Sequence, residues 1–371
     1  MKRSSDRTLL VFPCHAPWVY QLGRLDFQLD IPVGLRGKYN AGWDERMRPV
    51  PPNARLISLD EALRSSTAYY CIIAHGIADL LDVRSRPEPR LLVLHNALEA
   101  RRRQEGGGPD RQEAQAMLQR YLSLIGGHVV ATSMFKGESW GFTEDIVHAS
   151  VDVGEYPPHQ GDQPRGMRIC NYIHSRRHIL LWEFHREAFA DIPLTLVGHN
   201  PDMPGVEAAR DWSHLKAMLQ SHRFYVHTAD PRYEAGYNMA TLEAMAAGLP
   251  VLGNAHPASP IEHGVTGFLS DDPAELRHWA KVLLEDEELA YRMGQQARRS
   301  VARQFSLERF QSALERSIET ARYKHEHSAN GKPRHADDRA RTPWAAVSAL
   351  QQHIDPPLWD RRRRLTAGAC F

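Results

Sequence analysis

The chain is short of several things at once, and each shortage closes a class of function. Its four cysteines, Cys14, Cys71, Cys170 and Cys370, stand too far apart in sequence for a metal cluster or a redox pair, and no disulfide framework is implied. Such sparse usage suits a reducing compartment, so the expectation is a cytoplasmic protein. Long apolar runs are missing too. The run near the amino terminus spans only Leu9 to Phe12, too short for a signal-peptide core, and no segment approaches the ~20 residues of a membrane-spanning helix. Neither sign of charge dominates: 46 Lys and Arg against 45 Asp and Glu leave a formal net charge of +1. That argues against a nucleic-acid partner, whose binders carry a basic excess on one domain. No Gly-x-Gly-x-x-Gly follows any expected strand, which disfavours a dinucleotide-dependent oxidoreductase. No Asp-x-Asp pair occurs anywhere, and no metal site is expected.

What is present is the rhythm of an α/β protein. At 371 residues the chain is too long for one compact domain and long enough to bury two cores. In the first half, Leu9–Phe12, Leu56–Leu59, Tyr69–Ile73, Leu91–His95, Val129–Thr132 and Ile146–His148 read as strands, with helices such as Arg111–Leu124 between them. A break rich in Pro, Gly and charge follows at Tyr156–Gly166. The pattern restarts with a strand at Arg168–Ile173, a helix at His178–Phe189, a strand at Leu194–Val197 and a helix at Ser213–Leu219. The expectation is two Rossmann-like parallel sheets facing a cleft, one within residues 1–155 and one within 167–322. Residues 323–371 are polar and charged and read as a flexible tail. There the Arg361–Arg364 run beside Trp359 leaves open a peripheral contact with the anionic inner face of a membrane.

The densest stretch is Asp230–Leu269, DPRYEAGYNMATLEAMAAGLPVLGNAHPASPIEHGVTGFL. The β-prone run Arg223–Thr228 leads into a loop broken by Pro231, Gly236 and Asn238. Asn238 reads as the N-cap of a helix over Met239–Ala247, Gly248 suits the left-handed position after its end, and Pro250 stops it. The start of such a helix offers backbone N–H groups and the positive end of a macrodipole, a seat for a diphosphate. Glu243, just inside the helix, can accept two hydroxyl hydrogen bonds from a ribose, and Glu234 lies where sugar hydroxyls could meet it. Farther on, Asp272, Pro273 and Glu275 open another helix with a cap, Pro at its first position and Glu at its third.

YEAGYN, LEAMAAGLPV and PIEHGVTGFL together resemble the signature of the group-1 glycosyltransferases of the GT-B class, and the likeness runs from Leu194 to about Ile318. The resemblance implies a nucleotide-diphosphate sugar as donor, a saccharide or lipid-linked acceptor, no further cofactor, and retention of anomeric configuration without a metal. It assigns Glu243, Gly236, Tyr237, Asn238, Thr241 and Gly198 to the nucleotide. Glu234, His95, Arg176 and Arg177 fall to the transfer itself. The acceptor then belongs to the first half and the donor to the second.

Two departures stand out. Eight residues separate Glu234 from Glu243 where the family has seven, which makes Ala235 an insertion or displaces Glu234. After the first strand of the second half, Tyr172 stands where the family has Arg, leaving Arg176 or Arg177 to clamp the diphosphate, for which a bidentate guanidinium is well shaped. The Gly-Gly loop that often follows the family's first strand is also absent; His15, Trp18, His75 and Lys136 are the candidates on that side, with His95 favoured because the family carries a His near the transferred sugar. An alternative stays open: a degenerate relative that binds a nucleotide sugar or a partner transferase without turnover. Everything rests on a Glu243 carboxylate free to take a pentose.

Overall fold

Short runs of branched and aromatic residues bounded by turns become strands, and both sheets built from them are wholly parallel in the computed structural model, which describes residues 7–35 and 42–328. The chain divides into two units. One gathers the described residues of 1–44, 49–148 and 310–328, the other those of 45–48 and 149–309.

The first unit carries β1 (Thr8–Val11), β2 (Gln28–Val33), β3 (Ala54–Ser58), β4 (Cys71–Ala74), β5 (Arg90–Leu94) and β6 (His128–Ala131), in the order β3-β2-β1-β4-β5-β6. Between them run α1 (Ala16–Gln21), α2 (Leu59–Arg64), α3 (Ile77–Asp82), α4 (Leu98–Glu105), α5 (Arg111–Ile125) and α6 (Met134–Trp140). One face buries Leu10, Ile57 and Ile72; the other buries Leu92, Val129, and Leu118 and Tyr121 of α5. Each such side chain removed from water contributes about 1.5–3 kcal/mol. The order reverses between β1 and β4, and ligands of open α/β sheets collect at the carboxyl ends of the strands flanking that reversal.

The second unit carries β7 (Gln163–Ile169), β8 (Leu194–Val197), β9 (His222–Val226), β10 (Val251–Gly253) and β11 (Gly267–Leu269), in the order β11-β10-β9-β7-β8, with its reversal between β7 and β9. Its helices are α7 (Trp182–Ala188), α8 (Trp212–Ser221), α9 (Met239–Ala247), α10 (Pro273–Glu285) and α11 (Glu287–Gln304). Ala240 to Ala247 of α9 are buried on every side. The helix packs so closely on α11 that a Cβ on Gly294 would lie 1.8 Å from the Gly248 carbonyl oxygen. A last helix, α12 (Leu307–His327), lies from Phe310 onward with the first unit, where the Phe310 ring meets Trp18 edge-on at 5.4 Å.

Several boundaries differ from expectation. β2 escapes a reading by pattern because Pro32 and the buried Asp30 interrupt its apolar run, although Asp30 is satisfied by Arg55 at 2.6 Å and the Tyr69 hydroxyl at 2.9 Å. Ile146–His148 is no strand; only Ile146 bridges to Ala131. β7 begins inside the Pro/Gly-rich stretch, at Gln163, because Gly166 is a strand residue pressed under Phe224, where a Cβ would come within 2.3 Å. α7 starts at Trp182 rather than His178: the Leu180 carbonyl is taken by Thr228 and Arg168, and Leu181 has φ +48°. α12 continues to His327 through the start of the expected tail; the rest of that tail, Cys370 and the Arg361–Arg364 run lie outside the described residues. No helix of the described residues is long and apolar enough to cross a membrane.

Candidate active site

The reversal between β7 and β9 places two loops of the second unit side by side. The first, after β7, is braced by amides: Asn171 Oδ1 accepts from the His199 amide at 2.7 Å, and Asn200 accepts from the Ile173 amide at 2.8 Å while its Nδ2 donates to the Cys170 carbonyl at 2.8 Å. Gly198 is required for this approach, with φ +143° and room for no side chain, since a Cβ would meet the Cys170 carbonyl oxygen at 2.3 Å. Tyr172 stands in the left-handed region at φ +51°, its ring 5.1 Å from that of His199. The loop then presents Arg176 and Arg177 differently. Arg176 is largely buried, its Nη2 lies 3.9 Å from Glu234 Oε2, and its Nε has no hydrogen-bond partner among the described residues. The Arg177 side chain is exposed.

The second loop, after β9, is folded on itself. Asp230 takes Arg232 in a bidentate pair, at 2.6 Å to Oδ2, and that arginine holds its carboxyl below the usual range. The Tyr233 and Glu234 amides return to the Asp230 carbonyl, both at 3.0 Å. His256 donates from Nε2 to the Glu234 carbonyl at 2.8 Å and accepts the Ala258 amide on Nδ1 at 3.0 Å. A Cβ on Gly236 would sit 2.7 Å from His256 Nδ1 and from the Ser259 amide, so only glycine passes there. Ala235, the extra residue in the glutamate spacing, is fully buried and bonds through its backbone to His227, whose imidazole burial pushes down to about 3. The spacing is thus built into the loop. Tyr237 packs its ring at 5.3 Å on Phe305. Asn238 caps α9 as the sequence implies, accepting the Thr241 amide at 2.9 Å while Thr241 Oγ1 accepts the Asn238 amide at 3.4 Å.

Glu243 differs from the open seat expected of it. Its carboxylate is buried and ion-paired to Arg48, and it accepts from the Tyr156 hydroxyl, which burial and the neighbouring carboxylate hold well above its ordinary value. The Arg48 guanidinium also lies 4.3 Å from the centre of the Trp212 ring. Neither Arg48 nor Trp212 stands out in the sequence, because Arg48 is 195 positions away from its partner. Arg168 was also unforeseen: a buried arginine on β7, it binds the Thr228 hydroxyl at 2.9 Å and the Leu180 carbonyl at 3.1 Å, fixing both loops at their roots.

In the first unit the carboxyl ends of β1, β4 and β5 bring three histidines together. His75 Nδ1 and His95 Nε2 are hydrogen-bonded at 2.7 Å, and His15 stacks on His95 at 3.8 Å between ring centres. Trp18 turns its edge to both, at 5.4 Å from His75 and 5.5 Å from His95. Burial, then His15 and His75, hold His95 well below its ordinary value. Lys136, after β6, donates to Thr132 Oγ1 at 3.3 Å. A cavity of about 630 Å³ in this unit, lined by residues such as His128, Asp145 and Lys324, lies at the amino end of β6 and so away from this cluster.

Residues 180–286 match the family described as glycosyl transferases group 1. Over that stretch the chain is similar to the group-1 glycosyl transferases. The matched segment includes Glu234, Glu243 and the capped α9, while Arg176 and Arg177 lie just before it. N-acetyl-alpha-D-glucosaminyl L-malate synthase of Bacillus anthracis is 41% identical over 83 residues, 21% of this chain and 22% of that protein. Among solved structures, HepE of Anabaena in complex with UDP and glucose superposes with a TM-score of 0.61 at 12% identity, covering 84% of this chain and 99% of that one. TarM of S. aureus, solved with Fondaparinux, alpha-GlcNAc-glycerol and UDP, gives 0.52 at 15% identity, covering 67% of this chain and 55% of that one. The chain therefore spans about a fifth of the malate synthase in its match and about half of TarM. These likenesses establish the GT-B fold, two Rossmann-like parallel-sheet units.

Proposed function

We propose that the protein transfers a sugar from a nucleoside-diphosphate donor to a saccharide or lipid-linked acceptor, retaining anomeric configuration and needing no metal. The observation that carries this reading is Arg176: a mostly buried guanidinium with an unpartnered Nε, beside Glu234 and at the strand reversal where α/β sheets collect ligands. As the bond from the anomeric carbon to the diphosphate breaks, negative charge gathers on the leaving oxygens. A fixed cation and the amino end of α9 stabilise that charge more than they stabilise the donor, which lowers the barrier. The acceptor hydroxyl attacks the anomeric carbon from the face the diphosphate leaves, and its proton passes to a phosphate oxygen. Glu234 takes hydroxyls of the sugar, Glu243 the pentose, and Gly198, Gly236, Tyr237, Asn238 and Thr241 shape the nucleotide seat. Arg176 rather than Arg177 clamps the diphosphate, because only Arg176 is held by its surroundings. The UDP in the solved structures of HepE and TarM supports the donor class by likeness alone.

The Arg48–Glu243 pair favours a second reading, a protein that binds without turnover. One assay separates the two. The protein is incubated with a panel of nucleotide sugars and chelator, and both nucleoside-diphosphate release and nucleotide binding are followed. Release with chelator present is the expected result; binding without release supports the second reading, and neither defeats both.

A further inference from the structure

Resting on the nucleotide-sugar reading of the second unit, we infer that Arg48 occupies the nucleoside's own place and that Trp212 is the platform on which the incoming base stacks. Residues 45–48 belong to this unit although they stand early in the chain. Glu45 and Arg46 are exposed, and Arg48 alone is driven inward, its side chain only 2% exposed. Its flat guanidinium lies over the indole of Trp212 at 4.3 Å, donates to Glu243, and returns Nη1 to the Met47 carbonyl at 2.6 Å. A nucleoside makes the same two kinds of contact, a flat π-system on an aromatic face and hydroxyl donors on a carboxylate. Lys216 Nζ, 4.2 Å from the centre of the same ring, adds positive charge that favours an anionic ligand.

The plug is built to leave. The segment is also joined to the unit by the Trp212 amide, which donates to the Arg46 carbonyl at 2.9 Å. A buried ion pair returns little net stability, because the desolvation of both charges offsets their attraction. Withdrawal rehydrates the guanidinium, and a pentose diol then gives Glu243 two hydrogen bonds while the Tyr156 hydroxyl stays in place. A nucleotide binding by this route loses affinity in proportion to the time the plug is seated.

The test measures UDP, GDP and ADP binding by calorimetry to the wild-type chain, Arg48→Ala and Trp212→Ala, with hydrogen exchange on the wild type as a readout independent of any variant. If the plug is seated about nine-tenths of the time, Arg48→Ala tightens the preferred nucleotide about tenfold, by simple population arithmetic. Trp212→Ala weakens it about tenfold or more, the size of a lost base–aromatic stack. On adding nucleotide to the wild type, amide exchange over residues 45–48 rises. Wild-type binding with an equal or weaker Arg48→Ala constant, or with exchange over 45–48 unchanged or slowed, overturns the plug and leaves the nucleotide reading standing. No binding by any of the three proteins overturns the nucleotide reading, and the plug with it.

Discussion

The two units keep their chemistry in opposite ways. The second concentrates its candidate groups in one local stretch, a strand end, a turn and a capped helix between Asp230 and Ala247, with one arginine loop beside it. The first assembles its cluster from the ends of three strands, so that His15, His75 and His95 meet only because β1, β4 and β5 are neighbours. A local stretch leaves a motif and a distributed one does not, even where the polar contacts are equally close. The glutamates also differ. Glu234 stays near a half-satisfied arginine, whereas Glu243 is sealed by another.

That contrast is first measurable at Glu243. Glu243→Ala leaves the Arg48 guanidinium without its partner; held buried it would cost about 3–5 kcal/mol, and withdrawal of a plug seated about nine-tenths of the time caps the loss at ~1.4 kcal/mol. Urea unfolding should show a loss near that cap, and a loss well below about 1 kcal/mol would mean the pair is not seated in solution. Arg176→Ala comes next. It should lower kcat by about 10²–10³, the range for losing one preorganised donor at a developing charge, with little change in stability. Arg177→Ala should stay within about threefold; equal losses at both positions would erase the distinction drawn between a held and an exposed arginine.

The capped helix was legible from sequence almost to the residue, with Asn238 before it and Gly248, at φ +93°, after it, because capping is chemistry between near neighbours. The Arg48–Glu243 pair was not legible, since nothing in either residue's surroundings points 195 positions along the chain. His15, His75 and His95 could each be placed at a strand end, but their meeting depends on strand order, which β2 conceals behind Pro32 and Asp30.

The division of labour is tested at His95. His95→Gln should lower kcat/KM about tenfold while nucleotide affinity, a property of the second unit, stays within error. A matching fall in affinity would place the cluster on the nucleotide instead.

Acid stability separates the two units as well. Among the described residues, burial pushes His159, His185, His222, His227 and His256 of the second unit down from their ordinary values, against His95 alone in the first. Unfolded, each takes up a proton near 6.5. As pH falls below that value the unfolded chain binds protons the folded chain refuses, so stability drops by up to about 1.4 kcal/mol per pH unit for each such histidine, and none of this acts well above 6.5. Hydrogen exchange at pH 7.5 and 5.5 should show the second unit opening first; earlier opening of the first would contradict this account.

Helix α12 gives synthesis of the protein an unusual order. Phe310, Leu314 and Ile318 are buried, Arg322 donates to the Tyr70 carbonyl at 3.1 Å, and Lys324 reaches His128 at 3.0 Å, so a sheet begun at residue 8 is completed by a helix made some 300 residues later. During translation every residue assigned to the second unit among those described has left the ribosome before the first can close, reversing the usual amino-first sequence of domain folding. A chain truncated after Arg309 and released should therefore resist protease across residues 149–309 while its earlier half is still cut.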